Sequence, residues 1–162
     1  MFKTLNLDFR NMNVCIGGTF DKLHKGHKTL IKKAFEIAGD KGSVFIGITT
    51  DNFAKYKKNV KPLNERIKNI KKYLTEEGYE NKYTIQPISE KFGPSVYSDF
   101  TAIVVSSETI KTAKEINKKR EKIGKKTLKI FEIKPVLAED GFRISSTRIR
   151  NNEIDKNGKI IK

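Results

Sequence analysis

Residues Gly17 to His27 read GGTFDKLHKGH. The segment follows the apolar run Val14-Cys15-Ile16 and precedes a long amphipathic run that starts near Lys28. This pattern predicts a loop between a first strand and a first helix. In an open parallel sheet, ligands bind at such loops, beyond the carboxyl ends of the strands. Gly17 and Gly18 let the backbone approach a ligand closely. His24 and His27 are the two histidines of the chain. Three residues apart at a helix entry, both can face what sits above the strand. Free N–H groups at a helix start favour an anion there. The stretch therefore reads as a phosphate cradle carrying two imidazoles.

Outward from this loop, strand and helix patterns alternate. Met12 to Ile16 reads as the first strand. Lys28 to Ala38 sets Leu30, Ile31, Ala34, Phe35, Ile37 and Ala38 on one helical face, and Gly39, Asp40 and Gly42 end that helix. Ser43 to Thr49, rich in β-branched and aromatic residues, is a second strand. Thr50 or Asp51 can cap a short helix after it. Lys55, Lys57, Lys58 and Lys61 then cluster before Pro62, on the sheet edge that carries the glycine-histidine loop. Leu63, Ile67, Ile70 and Leu74 recur at helical spacing up to Gly78, with Arg66 read as an exposed helix arginine. Tyr83 to Ile88 is a third strand, and Glu90 to Ser98 a loop or short helix. Thr101 to Val105 suits a central parallel strand covered on both faces.

Ser106-Ser107-Glu108-Thr109 opens a helix running to about Lys122; the serines read as caps on a loop at the same sheet edge. Leu128 to Ile133 is a fifth strand and Ala138 to Gly141 a turn. Ile144 to Ile154 holds a short final helix, and the polar segment from Asp155 to Lys162 reads as a frayed, flexible tail. Together these predict one α/β domain over residues 1–162 with a parallel sheet and right-handed crossovers.

Composition narrows the function classes. The chain has 162 residues, enough for a sizeable core. Its 34 Lys+Arg against 19 Asp+Glu give a formal net charge of +15, which points to an anionic partner, though lysines recur in most segments instead of forming one tail. Cys15 is the single cysteine, so an intramolecular disulfide is excluded and a reducing compartment fits. It packs as a small apolar strand residue and lacks an evident base. No apolar run approaches the ~20 residues of a membrane helix, and the N-terminus lacks a signal-peptide core. The expectation is a cytoplasmic protein without membrane association.

GGTFDKLHKGH resembles the G-x-F-D-x-x-H-x-G-H signature of the nucleotidyltransferase superfamily. Ile144 to Arg150, ISSTRIR, resembles that superfamily's second signature. With VSSETIKTAKEINKKR and AEDGFRISSTRIRNNEID, the likeness narrows to the archaeal type of the phosphopantetheine adenylyltransferase family, over about residues 13 to 158. Lys22 stands where relatives usually carry proline. The resemblance implies a doubly wound, Rossmann-like five-stranded parallel sheet of order 3-2-1-4-5. It implies transfer of AMP from ATP to 4′-phosphopantetheine, giving dephospho-coenzyme A and pyrophosphate, with Mg2+ accompanying ATP.

Residue roles follow from the same likeness. His24 and His27 would bind ATP phosphates and steady the transition state, His27 being the stronger choice. Gly18, Thr19 and Phe20 would line the nucleotide site, with Thr19 also meeting the acceptor phosphate. Ser145, Ser146, Thr147 and Arg148 would grip the triphosphate from the other side, with Arg150 as an alternative arginine. Lys57 would hold the acceptor. Rival readings are a sister enzyme acting on a flavin or nicotinamide mononucleotide, a cytidylyltransferase, and a basic nucleic-acid-binding module. The module lacks tryptophan, an RNA-recognition signature and zinc-finger spacing. A metal site at His24 and His27 would be short of ligands. Gly26-His27-Lys28-Thr29 imitates only the end of a P-loop.

Overall fold

The computed structural model describes residues 12–55, 59–79 and 82–162. Five strands form one sheet: β1 (Asn13–Gly18), β2 (Ser43–Thr49), β3 (Tyr83–Ile88), β4 (Ala102–Val105) and β5 (Lys129–Glu132). Every pairing is parallel and the order is β3-β2-β1-β4-β5. The chain first winds from β1 outward to β3, then crosses to β4 on the other side of β1. The switch point therefore lies between β1 and β4, where the loop after each strand opens onto a shared crevice.

Side-chain alternation along each strand sorts the core into two layers. Val14, Ile16, Val44, Ile46, Ile48, Ala102 and Val104 point to one face, where they meet Ile31, Ala34 and Phe35 of α1 (Lys25–Ala38) and Ile70 and Leu74 of α2 (Leu63–Glu76). Cys15, Ile103 and Val105 point to the other face, against Ala113 and Ile116 of α3 (Ile110–Lys122). All four residues of β4 are buried, as expected for a strand covered on both sides. A third, small cluster of Ala138, Ile144 and Ile154 supports α4 (Ser146–Arg150).

Three expectations need correction. Arg66 is not an exposed helix residue but is fully buried. It donates from Nε to the Lys61 carbonyl, from Nη1 to the carbonyls of Thr19 and Thr49, and from Nη2 to Asp51. A guanidinium can be buried when such acceptors satisfy its donors. Residues 106–109 form a turn before α3, with the Thr109 hydroxyl accepting from the Ser106 amide, so the serines do not cap that helix. The segment from Asp155 is tied down, not frayed. The Asp155 carboxylate accepts from the Asn157 and Lys159 amides, Ile154 bridges Ile160, and the Gly158 carbonyl accepts from Glu139. Gly158 has φ 86° and sits where a Cβ would lie 2.9 Å from the Ala138 Cα, so both its conformation and its packing call for glycine.

Candidate active site

The two sequence signatures meet. A cleft of about 680 Å³ opens at the carboxyl end of the sheet. Gly17 to Asp21, His24 and His27 form one wall, and Arg143 to Thr147 with Arg150 form the facing wall. The loop of Ser106 to Thr109 closes one end. Two contacts join the walls directly. The Ser146 hydroxyl donates to the Asp21 carbonyl at 2.5 Å, and Arg150 Nη1 donates to Asp21 Oδ2 at 2.6 Å.

The histidines are fixed by the helix they start. His24 is the N-cap of α1, and its Nδ1 accepts from the amides of Gly26 and His27 at 3.0 and 3.4 Å. His27 Nδ1 accepts in return from the His24 amide at 3.3 Å. This is a capping box in which two imidazoles replace the usual hydroxyl and carboxylate. Gly26 is required because a Cβ there would lie 2.9 Å from the His24 ring. With Nδ1 accepting, each neutral ring carries its proton on Nε2 and offers that N–H as a donor. Burial and, after it, the nearby Arg143 charge together lower the His24 pKa to about 4 against the opposing pull of Asp21, so this ring is neutral at physiological pH.

The backbone of that helix start is not the cradle the sequence suggested. The Lys25 amide donates to the Lys156 carbonyl, and the next two amides are taken by His24. The helix start thus offers an anion side-chain donors instead of free amides, and its dipole still favours negative charge above it.

Sequence resemblance singled out Arg148, but Arg148 does not line the cleft. Its guanidinium is engaged by Asp140, by Glu153 at 3.3 Å and by the Arg143 carbonyl at 3.1 Å. Arg150 and Arg143 line the cleft instead. Arg143, paired with Glu108, was not singled out at all, although it directly precedes ISST. Thr19 lines the cleft and its hydroxyl accepts from Thr49 at 3.1 Å. Gly18, Phe20, Ser145, Ser146 and Thr147 line it too, with Ser145 capping α4 through the Arg148 amide. Lys57 lies outside the described residues.

Residues 15–152 match the cytidylyltransferase-like family. The chain belongs to that family. It is 45% identical to a phosphopantetheine adenylyltransferase of Methanosarcina mazei over 150 residues, 92% of this chain and 97% of that one. It is 41% identical to one of Archaeoglobus fulgidus over 155 residues, 93% of this chain and all of that one. A crystal structure from Archaeoglobus fulgidus, described as a protein with unknown function, superposes with a TM-score of 0.69 at 37% identity, over 75% of this chain and 89% of that one. The protein is thus a nucleotidyltransferase of the archaeal phosphopantetheine adenylyltransferase type.

In this nucleotidyltransferase Lys22 has φ 52°, and Phe20 has φ 53°. A proline ring forbids a positive φ. A proline at position 22 could not be accommodated in this loop path.

Proposed function

We propose that this enzyme transfers AMP from ATP to 4′-phosphopantetheine, giving dephospho-coenzyme A and pyrophosphate, in coenzyme A biosynthesis in the cytoplasm. The supporting observation is the single cleft in which the two signature segments face each other across Asp21. The names of the archaeal relatives supply the acceptor.

The donor set suits direct transfer. An oxygen of the acceptor phosphate attacks the α-phosphorus of ATP. A new phosphorus–oxygen bond forms as the bond to the oxygen bridging the β-phosphate breaks, and its electron pair leaves on pyrophosphate. The attacking group is already an anion and needs no base; the leaving group is a stabilised anion and needs little acid. Catalysis is then alignment plus neutralisation of developing charge. His27 and His24 donate from Nε2 to the phosphoryl oxygens from one wall. Ser145, Ser146 and Thr147 hold the triphosphate from the other, with Arg150 and Arg143 supplying charge-assisted bonds. One preorganised donor of this kind contributes on the order of 3 kcal/mol. Thr19 and Lys57 are the residues assigned to the acceptor phosphate.

Magnesium would accompany the nucleotide. Among the described residues no three His, Cys, Asp or Glu side chains are grouped to hold a metal. The cleft carboxylates Asp21 and Glu108 are each engaged by an arginine. This donor set fits an ion carried on phosphate oxygens, where it would neutralise their charge.

An acceptor panel tests the reading. ATP, magnesium and 4′-phosphopantetheine should release pyrophosphate, with flavin mononucleotide and nicotinamide mononucleotide inactive. Turnover with only one of the mononucleotides would assign the sister reaction. Failure of every acceptor, together with steeply salt-dependent RNA binding, would favour the nucleic-acid module.

A further inference from the structure

Asp21 is a buried carboxylate, 2% exposed, in a cleft built to hold phosphates. A negative charge there opposes the ligand unless it performs another task. Both of its oxygens are committed. Oδ1 accepts from the Lys61 amide at 3.1 Å and Oδ2 from Arg150 Nη1 at 2.6 Å. The first partner ends the lysine-rich loop, and the second belongs to the facing signature wall. The loop path that brings this side chain inward is strained, because Phe20 and Lys22, on either side of Asp21, both have left-handed φ values.

The partners of Asp21 are themselves oriented. The Lys61 carbonyl accepts from Arg66 Nε at 2.7 Å, so its flanking peptide groups are held from both sides. The Arg150 guanidinium is held by Asp21 at Nη1 and by the Thr147 hydroxyl at Nη2, at 3.3 Å. This leaves its orientation in the cleft defined before any phosphate arrives.

We propose that Asp21 is a positioning residue with two arms, one oxygen setting the acceptor-side loop through the Lys61 amide and the other setting Arg150 against the nucleotide. The acceptor arm rests on the reaction assigned above; the nucleotide arm needs only ATP. Its charge organises the binding groups of both substrates without touching either.

Two substitutions separate the arms. Asp21→Asn keeps an oxygen for the Lys61 amide but turns an amide N–H toward Arg150. Asp21→Ala removes both partners. Titration of ATP into the full-length protein should show affinity weakened about tenfold or more in both variants, the loss expected for one charge-assisted contact. The KM for 4′-phosphopantetheine should rise only in Asp21→Ala. In an Arg150→Ala background, Asp21→Asn should change ATP affinity no further, since the arm it acts through is gone. Circular dichroism and thermal melts, read below the transition of the least stable variant, control for folding. A merely structural Asp21 would lower the melting temperature and leave ATP affinity and acceptor KM within about twofold, within the non-additivity expected of independent sites; that result overturns the proposal. So does a further loss of ATP affinity on adding Asp21→Asn to Arg150→Ala. If the wild-type protein does not use 4′-phosphopantetheine, the assigned reaction fails, and the ATP titrations alone decide the role of Asp21.

Discussion

His24 and His27 cap one another across the first turn of α1, and their rings stack with centroids 3.7 Å apart at an interplanar angle of 19°. Each imidazole thereby uses Nδ1 for the backbone, which places its proton on Nε2. Helix capping and the phosphate binding proposed above thus fall to opposite nitrogens of the same ring.

Substitution can separate these two tasks. His27→Ala removes the donor, and turnover should fall at least ~100-fold while far-ultraviolet circular dichroism stays native. His24→Asn retains a capping oxygen, so it should lose activity with little loss of stability. His24→Ala should lose activity and also about 1 kcal/mol of stability. Steady-state kinetics beside denaturant titrations would read both effects. Wild-type turnover in His27→Ala would remove that ring from the mechanism.

The depressed pKa of His24 predicts a specific acid sensitivity. The pKa falls from 6.5 to about 4 on folding. Between these values the unfolded chain binds a proton at residue 24 that the folded chain does not. Stability therefore rises with pH across this window and is lost as pH drops from about 6.5 toward 4. The full shift corresponds to on the order of 3 kcal/mol. Guanidinium unfolding between pH 7 and 4 should show this loss in the wild type and a flatter profile in His24→Asn. Parallel profiles would refute the assignment.

Arg66 should prove essential to folding. Arg66→Met leaves the carbonyls of Thr19, Thr49 and Lys61 without their donor, which should cost about 3 kcal/mol or more. Asp51, the one charged partner, is largely exposed and contributes little of that. Arg66→Lys keeps the charge but cannot reach all four acceptors, so its melting temperature should fall between the two. A wild-type melt for Arg66→Met would contradict the account.

Much of this was legible in the sequence, and the failures share a cause. Ser43–Thr49 and Tyr83–Ile88 were read at their observed bounds because β-branched and aromatic residues mark strands directly. The start of α1 was placed three residues late, since imidazoles are not expected as caps. Arg66 and Arg120 are fully buried, but apolar periodicity counts every arginine as solvent-facing. Arg120 donates to the carbonyls of Ser95, Val96, Ser98, Phe100 and Lys126, none of which leaves a mark in sequence. The choice between Arg148 and Arg150 depends on which side of a five-residue helix faces the cleft, and acidic partners 8 and 129 residues away decide it.

Lys22 offers a test of the loop path. Lys22→Pro should destabilise the protein by at least ~1 kcal/mol, because the ring cannot adopt the observed φ. Lys22→Gly should be neutral or stabilising, as glycine relieves the left-handed strain. Thermal melts distinguish the two. A stabilising proline would mean that this loop follows another path.

The most direct test is a crystal structure with dephospho-coenzyme A bound. The account predicts the phosphate attached to the adenosine 5′ carbon between the walls, within hydrogen-bonding distance of the Nε2 atoms of His24 or His27, with Ser145 to Thr147 and Arg150 facing the side that pyrophosphate leaves. A ligand seated elsewhere, with both imidazoles and the paired serines untouched, would contradict it.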